Sequence, residues 1–129
     1  DIAEKNGSTD YNEIIPLVNK VIAVFEEQYH GWMSRNLFER QWLLRDFKKR
    51  VGISAEQCKN EMTHLKNELK TEEHVDISQY KGIFEKLKIY FQHQYSLLQG
   101  FEKDPDKLSE NSDIIHGWID LLAEIAGYI

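Results

Sequence analysis

The chain is poor in the residues that staple, break or anchor a fold. Cys58 is the one cysteine in 129 residues, so no disulfide can form within the chain and packing must hold it together. Such cysteine usage suits a reducing compartment and slightly favours the cytoplasm, although exported proteins without disulfides also exist. Two prolines and seven glycines are too few for a low-complexity tract. The apolar runs extend over only a few residues, well short of the ~20 needed to cross a bilayer. Alternating strand patterns, hairpin dipeptides between apolar runs and internal repeats are missing. So are glycine-rich phosphate loops, G-x-S-x-G and C-x-x-C. Nothing in this inventory calls for an enzyme or a cofactor. The first residue is Asp1 rather than Met, as when a leader has been removed or the chain trimmed.

What remains can bury a core. The hydrophobic fraction is 41%, the charged fraction is 29% and the length fits one domain spanning 1–129. The formal net charge of −6 favours solubility and opposes bulk nucleic-acid binding. Apolar residues recur at helical spacing over about 12–30, 34–51, 55–71, 78–99 and 112–127. This predicts an all-α fold, a compact bundle of four to five antiparallel helices. The polar residues 1–11 should form a flexible N-terminal arm. Pro16 falls in or near the first turn of the first helix, and Gly31 and Ser34 suggest a break, with Ser34 capping the second helix. Gly52 supplies a left-handed residue after it, and Ser54-Ala55-Glu56-Gln57 reads as a capping box. Residues 71–77 read as a linker or frayed turn. Gly100 should end the fourth helix, Asp104-Pro105 should open a turn, and Ser112 should cap the fifth.

Five histidines in an acidic chain raise a metal question. Glu27/His30 and Glu61/His64 are two Glu-x-x-His pairs, the spacing used by di-iron carboxylate bundles. That chemistry requires the groups to converge inside. At roughly 100° per residue, Glu27 and His30 lie opposite the Ile14–Val18–Val21–Phe25 stripe, and His64 turns away from the Cys58–Met62–Leu65–Leu69 seam. His93 and His116 likewise fall opposite the apolar faces of their helices. Every histidine therefore reads as a surface residue and no metal site is expected. Cys58, inside the seam, reads as a small buried hydrophobe.

Phe47-Lys48-Lys49-Arg50-Val51-Gly52-Ile53-Ser54 resembles the turn of a helix-turn-helix unit over about twenty residues. The resemblance implies a nucleic-acid-binding regulator. Lys48 and Glu61 depart from the motif, standing where it has a small and an apolar residue. The would-be recognition helix is also net acidic, which opposes entry into a phosphate-lined groove.

The most distinctive segment is 34–51. Arg35, Arg40, Arg45, Lys48, Lys49 and Arg50 stand against Glu39 and Asp46, a local net of +4 that leaves −10 for the rest of the chain. On a helical wheel, Met33, Leu37, Leu44, Phe47 and Val51 face one way, towards the core. Phe38 and Trp42 lie nearly opposite, among Arg35, Arg45 and Lys49. Arg40 falls in the core stripe, where it must snorkel or find a buried acidic partner. Two readings of the Phe38–Trp42 face follow. Either it packs on a neighbouring helix, with the arginines pairing to Glu26, Glu27 or Asp113, or it binds another molecule. Exposed Trp and Arg are typical of binding hot spots, and the cations suit an acidic partner surface. The leading expectation is a small non-catalytic protein of the inhibitor, immunity, adaptor or regulatory type. Its expected partner is another protein, with Arg35, Phe38, Trp42, Arg45 and Lys49 as partner-binding residues and self-association as a variant. The nucleic-acid regulator and a metal-binding bundle are the alternatives.

Overall fold

The computed structural model describes the backbone from Ile2 to Ile129 and side chains from Tyr11 onward. Among the described residues there are five α-helices: α1 (Ile2–Met33), α2 (Leu37–Val51), α3 (Ala55–Thr71), α4 (Lys81–Phe101) and α5 (Pro105–Tyr128), with a 3-10 turn, Ile77–Tyr80, leading into α4. No strand occurs among the described residues. The all-α bundle is thus the fold, with several boundaries shifted.

α1 starts ten residues before the expected Asn12, and Pro16 sits inside it rather than in its first turn. The backbone of residues 2–11 of the expected arm is helical, as part of α1; Asp1 and the side chains of 1–10 lie outside the described residues. Gly31 does not break α1. The chain turns at Ser34–Asn36, and Asn36, not Ser34, caps α2 by accepting from the Glu39 N–H at 2.9 Å. The Ser34 hydroxyl instead donates back to the His30 carbonyl. α5 begins seven residues earlier than Ser112. Asp104 caps it, accepting from the Asp106 and Lys107 N–H groups, and Pro105 occupies the first turn, where its missing N–H costs nothing. Ser112 lies within the helix and takes a hydrogen bond from Gln99 Nε2. Residues 71–77 are a linker, but not a frayed one: Val75 and Ile77 are buried, and the Val75 N–H donates to the Tyr11 hydroxyl at 3.0 Å.

The turn between α2 and α3 forms as the residues dictate. Gly52 has φ +93° and donates its N–H to the Lys48 carbonyl, and Ser54 accepts from the Gln57 N–H. Lys48, Lys49 and Arg50 occupy the last turn of α2, where they oppose the negative end of the macrodipole. An added Cβ at Gly52 would meet nothing within 4 Å. Gly52→Ala should therefore cost only the left-handed backbone penalty, about 1–2 kcal/mol, seen as a lower denaturant midpoint with an unchanged slope.

The core lies where α1, α3, α4 and the C-terminal half of α5 meet the C-terminal half of α2. Phe25, Phe47, Phe91, Met62, Leu65, Leu87, Leu122 and Ile125 are fully buried. Phe25, Trp32, Phe47 and Tyr90 form an aromatic cluster with ring centroids 4.8–6.2 Å apart. α2 runs antiparallel to α4, since Phe47 meets Tyr90, Asp46 approaches His93 and Trp42 stands near Leu97. α4 and α5 pack most extensively of all.

Candidate partner-binding surface

The core of this bundle fills one end better than the other. Apolar side chains left in solvent concentrate on the N-terminal half of α2, the C-terminal end of α4 and the first half of α5. Phe38 is 80% exposed, Phe101 77%, Leu37 59%, Trp42 57% and Ile114 46%. Leu37 lies on the face of the α2 wheel turned towards the core, and Ile114 on the apolar face of α5, yet both are exposed. Both fall beyond the region where α2 and α5 are covered by neighbours, and periodicity alone cannot show where coverage stops. Phe101 and Leu97 were missed. They extend the apolar face of α4 past the last buried residue, Phe91, and the Gly100-Phe101 end is the one local sign of it.

Phe38, Trp42, Arg45 and Lys49 fall on α2 within an arc of about 60°, at 100° per residue, and Arg35 precedes them in the connection from α1. All five are exposed. Arg35 pairs with Glu39 at 3.5 Å on the surface. Neither Arg45 nor Lys49 has a carboxylate within 4 Å among the described residues. The suggested pairing with Glu26, Glu27 or Asp113 does not form. Glu26 binds Lys66 instead, at 3.1 Å. Arg40 is half-buried with no acidic partner among the described residues, so it snorkels.

Two depressions meet at Trp42. One, about 420 Å³, lies between Trp42, Leu43, Phe38 and the Arg35–Glu39 pair. The other, about 770 Å³, is bounded by Trp42, Leu97, Phe101, Ile114 and Trp118 and reaches down to Gln28 and Gln94. The Gln28 amide donates to Gln94 Oε1 at 3.3 Å, and Gln28 Oε1 is buried without a hydrogen-bond partner.

The titratable groups lie elsewhere. His30, His64, His74 and His116 are on the surface, but His93 is not. Its side chain is only 16% exposed, because α2 covers that side of α4 and brings Asp46 to 3.6 Å from Nε2. Asp46 also pairs with Arg50. Glu27 and His30 do not converge with Glu61 and His64, and no group of three or more candidate ligands exists among the described residues. Glu61 and His64 border a polar hollow of about 430 Å³ between α3 and the start of α4. There Glu68 accepts a hydrogen bond from the Tyr80 hydroxyl, and His64 Nε2 lies 2.6 Å from its carboxylate. Burial, then the Glu68 hydrogen bond and charge, raise the Tyr80 phenol above its usual range.

Cys58 is fully buried, and burial, followed by the nearby Glu61 charge, pushes its thiol from 9.0 up to about 12. Because the folded value is the higher one, its contribution to stability is intact below about pH 9 and is lost as pH climbs towards 12. Alkylation at pH 8 should accordingly be slow and should track opening of the fold, accelerating in denaturant. Fast labelling of the folded protein would contradict the burial.

No helix is long and apolar enough to cross a membrane among the described residues. No protein-family model matches the chain, and neither a curated protein nor a solved structure shows significant similarity to it.

Proposed function

We propose that this protein is a small non-catalytic helical bundle that works by binding another protein, in an inhibitor, immunity, adaptor or regulatory capacity. Arg35, Phe38, Trp42, Arg45 and Lys49 make up the binding stripe. The observation that supports this reading is the exposure of Phe38 and Trp42, one turn apart on α2, beside two cations that lack internal partners. A solvent-exposed aromatic pair costs hydration free energy unless something covers it, and Trp and Arg are the residue types that dominate binding energy. The unpaired cations favour a partner whose surface is acidic.

The acidic exposed face of α3 argues against the nucleic-acid alternative. Glu56, Glu61, Glu72 and Glu73 are exposed along or just after that helix, and they would meet phosphates in any duplex groove. The α2–α3 turn is accounted for by its glycine and its serine cap alone.

The test compares wild type with Trp42→Ala in affinity capture under matched folding, checked by circular dichroism. A specific protein retained by the wild type and lost by the folded variant is the expected result. Partners retained equally by both would remove the stripe from the function.

A further inference from the structure

The α2 stripe forms one wall of a longer cleft. α2 and α5 both pack along α4 and have little contact with each other. They therefore flank a trough over the C-terminal end of α4, with Trp42 on one wall, Ile114 and Trp118 on the other, and Leu97 and Phe101 between them. α1 closes the far side of this trough with Gln28, which leaves its outer side open between the two walls. The lining is mostly apolar, with Gln28, Gln94, Glu102 and Asn111 as its polar members, and the Gln28 oxygen is buried without a hydrogen-bond partner.

We propose that this cleft receives an amphipathic helix from another protein, with its apolar stripe between Trp42 and Ile114 and acidic residues beside that stripe meeting Arg45 and Lys49. The proposal rests on reading the α2 stripe as a partner surface. Helix-in-groove recognition fits an apolar trough with helical walls, and no sheet edge exists among the described residues to receive an extended strand. Charge selects the occupant. The chain as a whole is −6 and Glu102 borders the cleft, yet the unpaired charges on the α2 wall are cationic, so acidic residues on the α2 side of an incoming helix are attracted locally. A second copy would bring a net-acidic body against a net-acidic body.

The experiment selects ligands from a displayed library of helix-forming peptides of about 18 residues, five turns long, using the whole protein as bait. Enriched peptides should carry apolar residues at i, i+3 or i+4, and i+7, flanked by Asp and Glu. Trp42→Ala and Phe101→Ala should each weaken them by about 30-fold or more, the loss expected at hot spots. The double variant Arg45→Glu/Lys49→Glu should weaken them most at low salt. Glu124→Ala, exposed and outside the cleft, should change nothing. Ligands sensitive to Phe38→Ala and Trp42→Ala but not to Phe101→Ala would overturn the cleft and leave the α2 stripe standing. Ligands indifferent to Trp42→Ala would remove both. Basic or non-helical ligands, or no enrichment, would overturn the proposal. So would a dimer in sedimentation that Phe101→Ala dissolves, because it would assign the cleft to a second copy.

Discussion

Phe47→Ala is expected to destabilise the fold by about 3–5 kcal/mol, a large share of what a domain of this size possesses. Phe47 is fully buried. Its ring lies 4.8 Å from Tyr90, 5.8 Å from Trp32 and 6.0 Å from Phe25, so it joins α2 to both α1 and α4. Removing it takes away the transfer free energy of the ring and leaves a cavity that three stiff aromatic neighbours cannot collapse into. Urea denaturation monitored by circular dichroism measures the effect. A loss under about 1 kcal/mol would mean that α2 is not docked through this residue.

Trp42→Ala should behave in the opposite way. Trp42 stands five positions before Phe47 on the same helix, but it is 57% exposed and touches solvent over both adjoining depressions. Its removal should cost the fold about 1 kcal/mol or less, near the range of surface substitutions. It should cost partner affinity at least about 2 kcal/mol, or roughly 30-fold. Urea denaturation and titration calorimetry separate the two quantities. Trp32→Ala is the internal control. Trp32 is only 7% exposed and packs in the aromatic cluster, so its loss should damage stability first.

Helical periodicity made the five helices, the Gly52 turn and most of the core legible, because each depends on local spacing. Val18, Val21, Phe25, Met62, Leu65, Phe84, Leu87 and Ile125 lie where the stripes of their helices place them. Boundaries set by competing caps were not legible. Asn36 outcompetes Ser34, and Asp104 outcompetes Ser112, because the cap that forms is decided by where the helix can pack. The burial of His93 was hidden for a related reason. A helical wheel shows the face opposite the main stripe as solvent, whereas α4 is central and has α2 on that side.

The candidate site was half legible. Residues on α2 announced themselves as a second apolar face among cations. Leu97 and Phe101 of α4 were not read from the sequence, and Ile114 lay on the apolar face of α5. What turns them into surface is that α2 and α5 diverge around α4, a tertiary fact with no periodic signature.

The central claim is that the Trp42 face meets another molecule. A photo-cross-linking residue placed at position 42, at position 101 and, as control, at position 124 in the native cells tests it most directly. The account predicts one defined heterologous adduct from positions 42 and 101 and none from position 124. Equal adducts from all three positions, or none at position 42, would contradict it.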